Sequence, residues 1–239
     1  MGESKTNISG IRENLTLVQE RIAAAARKTG RRADEITLVG VSKTHSGEAI
    51  RAAFEAGLRN FGENRVQEWE TKRAVLQDLG ATWHLVGHLQ SNKAARAASA
   101  FHTVDSVDDF VLAQRLDRAR AADPGAAKLR VLIEVRVAPE ETKSGVDPSE
   151  TEHLARQIVP LPQLDLAGLM CIPPFFDDPE KARPYFVELR ELRDKIARSL
   201  GRVLPVLSMG MSHDFAVAIE EGATEVRIGT AIFGARARP

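Results

Sequence analysis

Apolar residues recur along this chain at two alternating periods. Ile8, Ile11, Leu15, Val18 and Ile22 stand at steps of three and four, which predicts an amphipathic helix within residues 1–30 whose apolar face must cover something. The run Ile36-Thr37-Leu38-Val39-Gly40-Val41 then takes the short, β-branched form of a strand, and residues 46–56 return to helix. The same alternation continues with strands near residues 59–62, 82–86, 101–104, 129–135, 164–170, 204–207 and 225–228, so that eight are predicted. The clearest later helix is marked by Phe186, Leu189, Leu192, Ile196 and Leu200. Arg190, Glu191, Arg193, Asp194 and Lys195 form a solvated face between them.

Strands that alternate with helices build a parallel sheet, because each crossover has to run back over a sheet face. Eight such units predict a closed (β/α)8 TIM barrel, with the extra N-terminal helix packed on its outside. No composition shift or Pro/Gly/Ser linker divides residues 1–239, and Pro173-Pro174 falls in a loop after the sixth strand. A single barrel domain is therefore expected.

Composition narrows the partners. Thirty-three basic residues balance thirty-three acidic ones, so no long-range field draws the molecule to nucleic acid or to an anionic membrane. An anion must be bound locally. The one cysteine, Cys171, excludes an intrachain disulfide framework and reads as a small buried hydrophobe. The first residues carry no apolar signal core, and no stretch approaches the roughly 18 apolar residues of a membrane span. A cytoplasmic protein is expected.

In barrels of this kind chemistry gathers where strands end and the following loops begin. That rule selects Lys43, Asn64, His84 with His88, Met170, Ser208, and Arg227 with Gly229, and closure brings strand eight beside strand one. Lys43 continues the parity of Thr37, Val39 and Val41. If that parity faces the axis, the amine sits in a partly desolvated mouth, where the neutral form that attacks an aldehyde is favoured. The other reading is a strand-end lysine reaching to solvent. Ser208-Met209-Gly210-Met211-Ser212 and Arg227-Ile228-Gly229-Thr230 combine small residues with hydroxyls, as a phosphate seat requires. Alternatively, Ser212 only caps a helix and Gly229 only turns the chain. Arg227 interrupts an apolar strand and needs a partner, either Glu225 or Glu63 or a ligand atom. His84 and His88 have no acidic residue at metal spacing, so no zinc site is predicted.

The segments Leu38-Val39-Gly40-Val41-Ser42-Lys43-Thr44, Phe61-Gly62-Glu63-Asn64, Trp83 to Lys93, Lys143-Ser144-Gly145-Val146, Gly168 to Pro173, Leu207 to Ser212 and Val226 to Gly234 resemble the pyridoxal phosphate homeostasis protein family. The barrel of that family is similar to the barrel domain of alanine racemase. The resemblance implies that pyridoxal 5′-phosphate (PLP) is held as a Schiff base on Lys43. It further implies that Ser208, Met209, Gly229 and Thr230 bind the phosphate, that Arg227 faces the pyridine nitrogen and that Asn64 lines the ring pocket. His84 and Met170, taken from the strand-end rule, complete the expected cofactor contacts. The chain departs from the family at His45 and Arg65, where a lysine and an aromatic residue are common, and at Thr142 before the retained Lys143, so the roles of these positions are open.

An arginine at the ring nitrogen donates hydrogen bonds but does not stabilise a protonated pyridinium as a carboxylate would, so the cofactor is a weak electron sink. Racemases of the resembling fold add a second base, a tyrosine from a further domain. Here the one tyrosine, Tyr185, opens an outer helix, and the chain ends at Pro239 after the eighth unit. The expectation is a monomeric PLP carrier or reservoir, with apo PLP-dependent enzymes as candidate recipients. The alternatives are a weak amino-acid racemase using His84, His213 or water as its second base, and a cofactor-free lysine aldolase.

Overall fold

Eight parallel strands close the sheet in chain order, each carried to the next by helical or turn structure on the outside. They are β1 (Thr37–Val41), β2 (Asn60–Glu63), β3 (Thr82–Leu85), β4 (Thr103–Val107), β5 (Leu129–Val135), β6 (Leu164–Cys171), β7 (Val206–Ser208) and β8 (Glu225–Ile228). The helices are α1 (Ile8–Lys28), α2 (Gly47–Glu55), α3 (Val66–Leu76), α4 (Ala94–Ala100), α5 (Phe110–Arg120), α6 (Pro148–Ile158), α7 (Arg183–Leu200), α8 (Phe215–Glu220) and α9 (Thr230–Phe233). The computed structural model describes residues 8–123, 125–138 and 144–234, so Lys143 lies outside the described residues. No described helix is long and apolar enough to cross a membrane.

The barrel is closed by β8 returning to β1, with Leu38 opposite Val226 and Val39 opposite Arg227. Glycines show which way β1 faces. A Cβ on Gly62 would lie 3.1 Å from the side chains of Val39 and Val86, which places all three inside the barrel. A Cβ on Gly40 would strike Leu58 at 2.4 Å on the outside. The parity of Val39, Val41 and Lys43 is therefore the inward one.

Two apolar regions result. The larger lies between strands and helices and includes Leu15, Phe61, Trp83, Leu112, Phe186 and Phe215. Inside the barrel, Leu132, Ala167, Met170 and Val206 form a smaller cluster. Ala167 and Met170 share that interior although they are an odd number of residues apart. The reason is a bulge: Val131 and Leu132 of β5 face Leu166 and Gly168 of β6, so Ala167 is the extra residue that resets the alternation.

The fourth strand lies later than the sequence pattern predicts, at Thr103–Val107 and not at 101–104. Asp105 and Ser106 masked it, since polar residues argue against a buried strand. Both are buried and bonded: Ser106 Oγ donates to the Gly87 carbonyl at 2.7 Å, and Asp105 meets His84 at 3.3 Å.

Helix α1 covers the outside of the barrel against α2, α8 and α9. Ile11, Leu15, Val18 and Ile22 form its buried stripe, and Asn14 Nδ2 donates to the Ile232 carbonyl at 3.1 Å. Truncating Leu15 to Ala should cost about 2–5 kcal/mol in urea-melt stability, whereas Leu17→Ala, on the 57% exposed side of the same helix, should leave the midpoint almost unchanged.

Candidate functional site

Beyond the end of β1 the backbone still follows the ladder, with Ser42 N–H donating to the Gly62 carbonyl at 2.9 Å. It then turns sharply. Thr44 has φ 66°, a left-handed conformation that non-glycine residues adopt at a cost of about 1 kcal/mol. Its N–H is held by the Glu68 carboxylate. Lys72, also on α3, donates to the Ser42 carbonyl at 2.9 Å, to Glu63 at 2.9 Å and to Glu68 at 3.1 Å, while Ser42 Oγ donates to Glu63 at 2.7 Å. Charges from α3 thus pin the turn that presents Lys43. Burial raises the Glu63 carboxyl above its ordinary range against the pull of Lys72. Glu63 belongs to this support and has no contact with Arg227.

Lys43 lines a cavity of about 480 Å³ together with Asn64, Ser212, Arg227, Gly229 and Thr230. Residues from the ends of β1, β2, β3, β6, β7 and β8 meet there because the barrel is closed. Gly229 brings its backbone close to β1: a Cβ would lie 3.2 Å from the Val41 carbonyl. Ser212 Oγ accepts from Ala231 N–H at 3.3 Å and so ties the loop after β7 to α9. On the β3 side, a Cβ on Gly87 would fall 2.3 Å from the Asn64 carbonyl, so that loop packs against Asn64 only as glycine.

Four predicted contacts lie beneath this cavity and not on its wall. Ser208 ends β7 with an inward side chain, accepts from Arg227 Nη1 at 2.6 Å and donates to Glu225 Oε1 at 2.6 Å. Met209 is buried in the outer apolar shell and Met170 in the inner cluster. His84 is 2% exposed in the barrel interior. The hydroxyl residues that do line the cavity beside Gly229 are Thr230 and, four residues past Ser208, Ser212, and Ile172 takes the wall position two residues past Met170.

Arg227, 4% exposed, is satisfied on its buried side by Ser208 and by the Cys171 carbonyl, to which Nη2 donates at 2.8 Å. Ser208 links it by hydrogen bonds to Glu225. Below, His84 Nδ1 lies 3.3 Å from Asp105 and 3.9 Å from Glu225, with Nε2 3.4 Å from Asn60. Burial pulls the imidazole pKa down, but Asp105 and then Glu225 outweigh it, and the net shift is upward. Glu225 is raised by its burial and by Asp105, against the pull of His84. His84, Asp105 and Glu225 are the one group among the described residues whose donor atoms cluster as metal ligands do. Sequence spacing hid the proximity of both acids to His84, because they arrive from β4 and β8.

A further buried acid carries no mark in the sequence reading. Glu134, near the end of β5, lines a side chamber of about 390 Å³ that shares Lys43, Asn64, Val86 and Ile172 with the main cavity. Its burial, with Asp108 adding and Arg227 opposing, pushes the carboxyl up to about 7. Its Oε2 is buried without a hydrogen-bond partner. The available signal was the one that singled out Arg227, an inward-facing charge in an otherwise apolar strand. Of the departures from family pattern, His45 lines the main cavity and stacks on Phe233 at 5.0 Å, while Arg65 lines a separate depression with Lys93. The Cys171 thiol is fully buried, which pushes it up to about 12.

Comparison with known proteins places this arrangement. The alanine racemase N-terminal domain family matches residues 14–237. A pyridoxal phosphate homeostasis protein of Aquifex aeolicus is 47% identical over 224 residues, covering 94% of this chain and 97% of that one. The solved structure of PipY from Synechococcus elongatus with PLP bound is similar with a TM-score of 0.80 and 38% identity, covering 91% of this chain and 100% of that one. Alanine racemase from Corynebacterium glutamicum, 18% identical, shares the fold with a TM-score of 0.70 over 96% of this chain and 62% of that one. On the extent of both the sequence and the structural match, the chain belongs to the pyridoxal phosphate homeostasis protein family.

Proposed function

We propose that this protein binds PLP at Lys43 and acts in intracellular PLP homeostasis as a carrier or reservoir, without conventional turnover. The observation that carries the reading is the convergence of a half-buried lysine, a buried arginine and a Gly229–Thr230 turn on one cavity of about 480 Å³. The donor set fits the cofactor. A neutral primary amine adds to an aldehyde and loses water to leave a carbon–nitrogen double bond, which is what Lys43 supplies. Arg227 has only N–H groups to offer, so it suits an unprotonated pyridine nitrogen. Gly229, Thr230 and Ser212 supply close backbone and two hydroxyls for a phosphate, with Ser208 and Met209 acting from beneath. The names of the relatives, and PLP in the PipY structure, support the same assignment.

The case for a carrier rests on what faces the cavity. Tyr185 lies on α7 and stacks on Phe176 at 5.9 Å, away from the cavity wall. With a donor at the ring nitrogen, the cofactor would be a poor sink for carbanion charge. The mouth is open: Phe175 stands there 75% exposed, which suits loading and release to apo PLP-dependent enzymes by a monomer. A weak racemase keeps one point in its favour. His213 lines the cavity with Nε2 3.0 Å from the Asp177 carbonyl, so a neutral ring that donates there keeps Nδ1 as a base.

Three measurements separate these readings. Borohydride reduction followed by intact mass should fix PLP to wild type and not to Lys43→Ala, which should remain folded and retain weak, non-covalent PLP. A colourless wild type would instead promote the cofactor-free aldolase. Arg227→Glu should shift the visible band, because an acceptor replaces a donor at the ring nitrogen; an unmoved band places Arg227 elsewhere. Exchange of the α-proton in deuterated water, across L- and D-amino acids, should stay well below about 1 s⁻¹. Rapid exchange abolished by His213→Ala would establish the racemase.

A further inference from the structure

Glu134 is a buried carboxyl with an orphaned oxygen on the wall of a chamber that also holds Lys43. A buried polar atom without a partner costs about 1–3 kcal/mol, and a fold normally supplies it with one. Here the fold leaves Oε2 without one, in a residue that lines a chamber together with Lys43 and Asn64. The strand is held in place by its neighbour, with Glu134 opposite Met170 in the β5–β6 ladder, so the side chain is fixed by register and not by a mobile loop.

We propose that Glu134 is a further contact residue for the ligand held at Lys43, donating a hydrogen bond from the side chamber to an oxygen of that ligand. The inference rests on the PLP reading and adds a residue to it. A neutral carboxyl carries one O–H donor; an ionised one only accepts, and beside Lys43 it favours the ammonium form, which does not attack an aldehyde. Holding PLP and holding a proton at Glu134 are thereby linked. The raised carboxyl pKa is consistent with the geometry, since burial keeps the proton on near neutrality.

The charges facing Glu134 come from every element around it. Asp108, after β4, pairs with His88 at 3.3 Å and is itself raised by burial; Arg227 lies on β8, Lys43 after β1, Cys171 on β6 and Arg136 just past the end of β5. His88 lines the same chamber and Asp108 pairs with it, so a pH profile of wild type alone does not isolate Glu134. The ratio between wild type and a variant does, because every other group is common to both.

Glu134→Gln keeps a neutral donor at every pH. PLP dissociation constants, measured by the visible band of the apo protein titrated with PLP at pH 5.5 and pH 8.5, should agree between wild type and Glu134→Gln at the lower pH. At the higher pH the variant should bind on the order of tenfold more tightly, one pKa unit of linkage. Glu134→Leu, which has no donor, should bind more weakly than both at pH 5.5, and thermal melts report whether each variant is folded. A wild-type to Gln ratio that is the same at both pH values, with all proteins loading PLP, overturns the assignment of Glu134 and leaves Lys43 untouched. Failure of wild type to load PLP at either pH overturns the Lys43 reading and this one with it.

Discussion

Every feature of the mouth depends on one seam, the parallel pairing of β8 with β1. Val39 opposite Arg227 sets the height of the two strands relative to each other, and from that register the amine of Lys43 and the guanidinium of Arg227 face one cavity. The seam is also what makes a buried arginine tolerable. Closure encloses its guanidinium, and Ser208 and the Cys171 carbonyl then stand close enough to satisfy it. An open sheet would leave Lys43 at one edge and Arg227 at the other.

The interior of this barrel is a polar network as much as an apolar core. One small cluster around Leu132 and Met170 fills part of it, and Asn60, His84, Asp105, Ser208, Glu225 and Arg227 are linked across the rest. Such networks are stable when each member is satisfied and costly where one is not. Among the described residues the orphaned side-chain atoms are Glu63 Oε2, Trp69 Nε1, Asp105 Oδ1 and Glu134 Oε2. Three of the four are carboxylate oxygens in or beside the barrel. The apolar shell outside, from Leu15 to Phe215, carries the stability that the interior does not.

Sequence made the repeating architecture legible because strands and helices differ in period, and it made Lys43 and Arg227 legible because each is a charge at the end of, or within, a β-branched run. Family resemblance then supplied the cofactor. What stayed hidden depends on contacts between strands. Ser208 and Ser212 are both hydroxyls in one glycine-rich loop, and only the inward turn of Ser208 onto Arg227 and Glu225 shows which of them is free to face the cavity. The acids around His84 come from β4 and β8, and the strand carrying Asp105 was itself misplaced because its polar residues look like loop. Glu134 sat in a strand that otherwise reads as core. In each case the missing quantity was the register, which no local pattern contains.

Cys171 gives the arrangement a chemical consequence of its own. Aldehydes add thiolates as well as amines, and a sulfur nucleophile beside the lysine would divert part of any bound aldehyde into a hemithioacetal. In this chain the only sulfhydryl is enclosed within the barrel wall and held in its unreactive, protonated form, while the same residue lends its main-chain oxygen to Arg227. An aldehyde bound at Lys43 would thus meet no thiol from the described cavity wall.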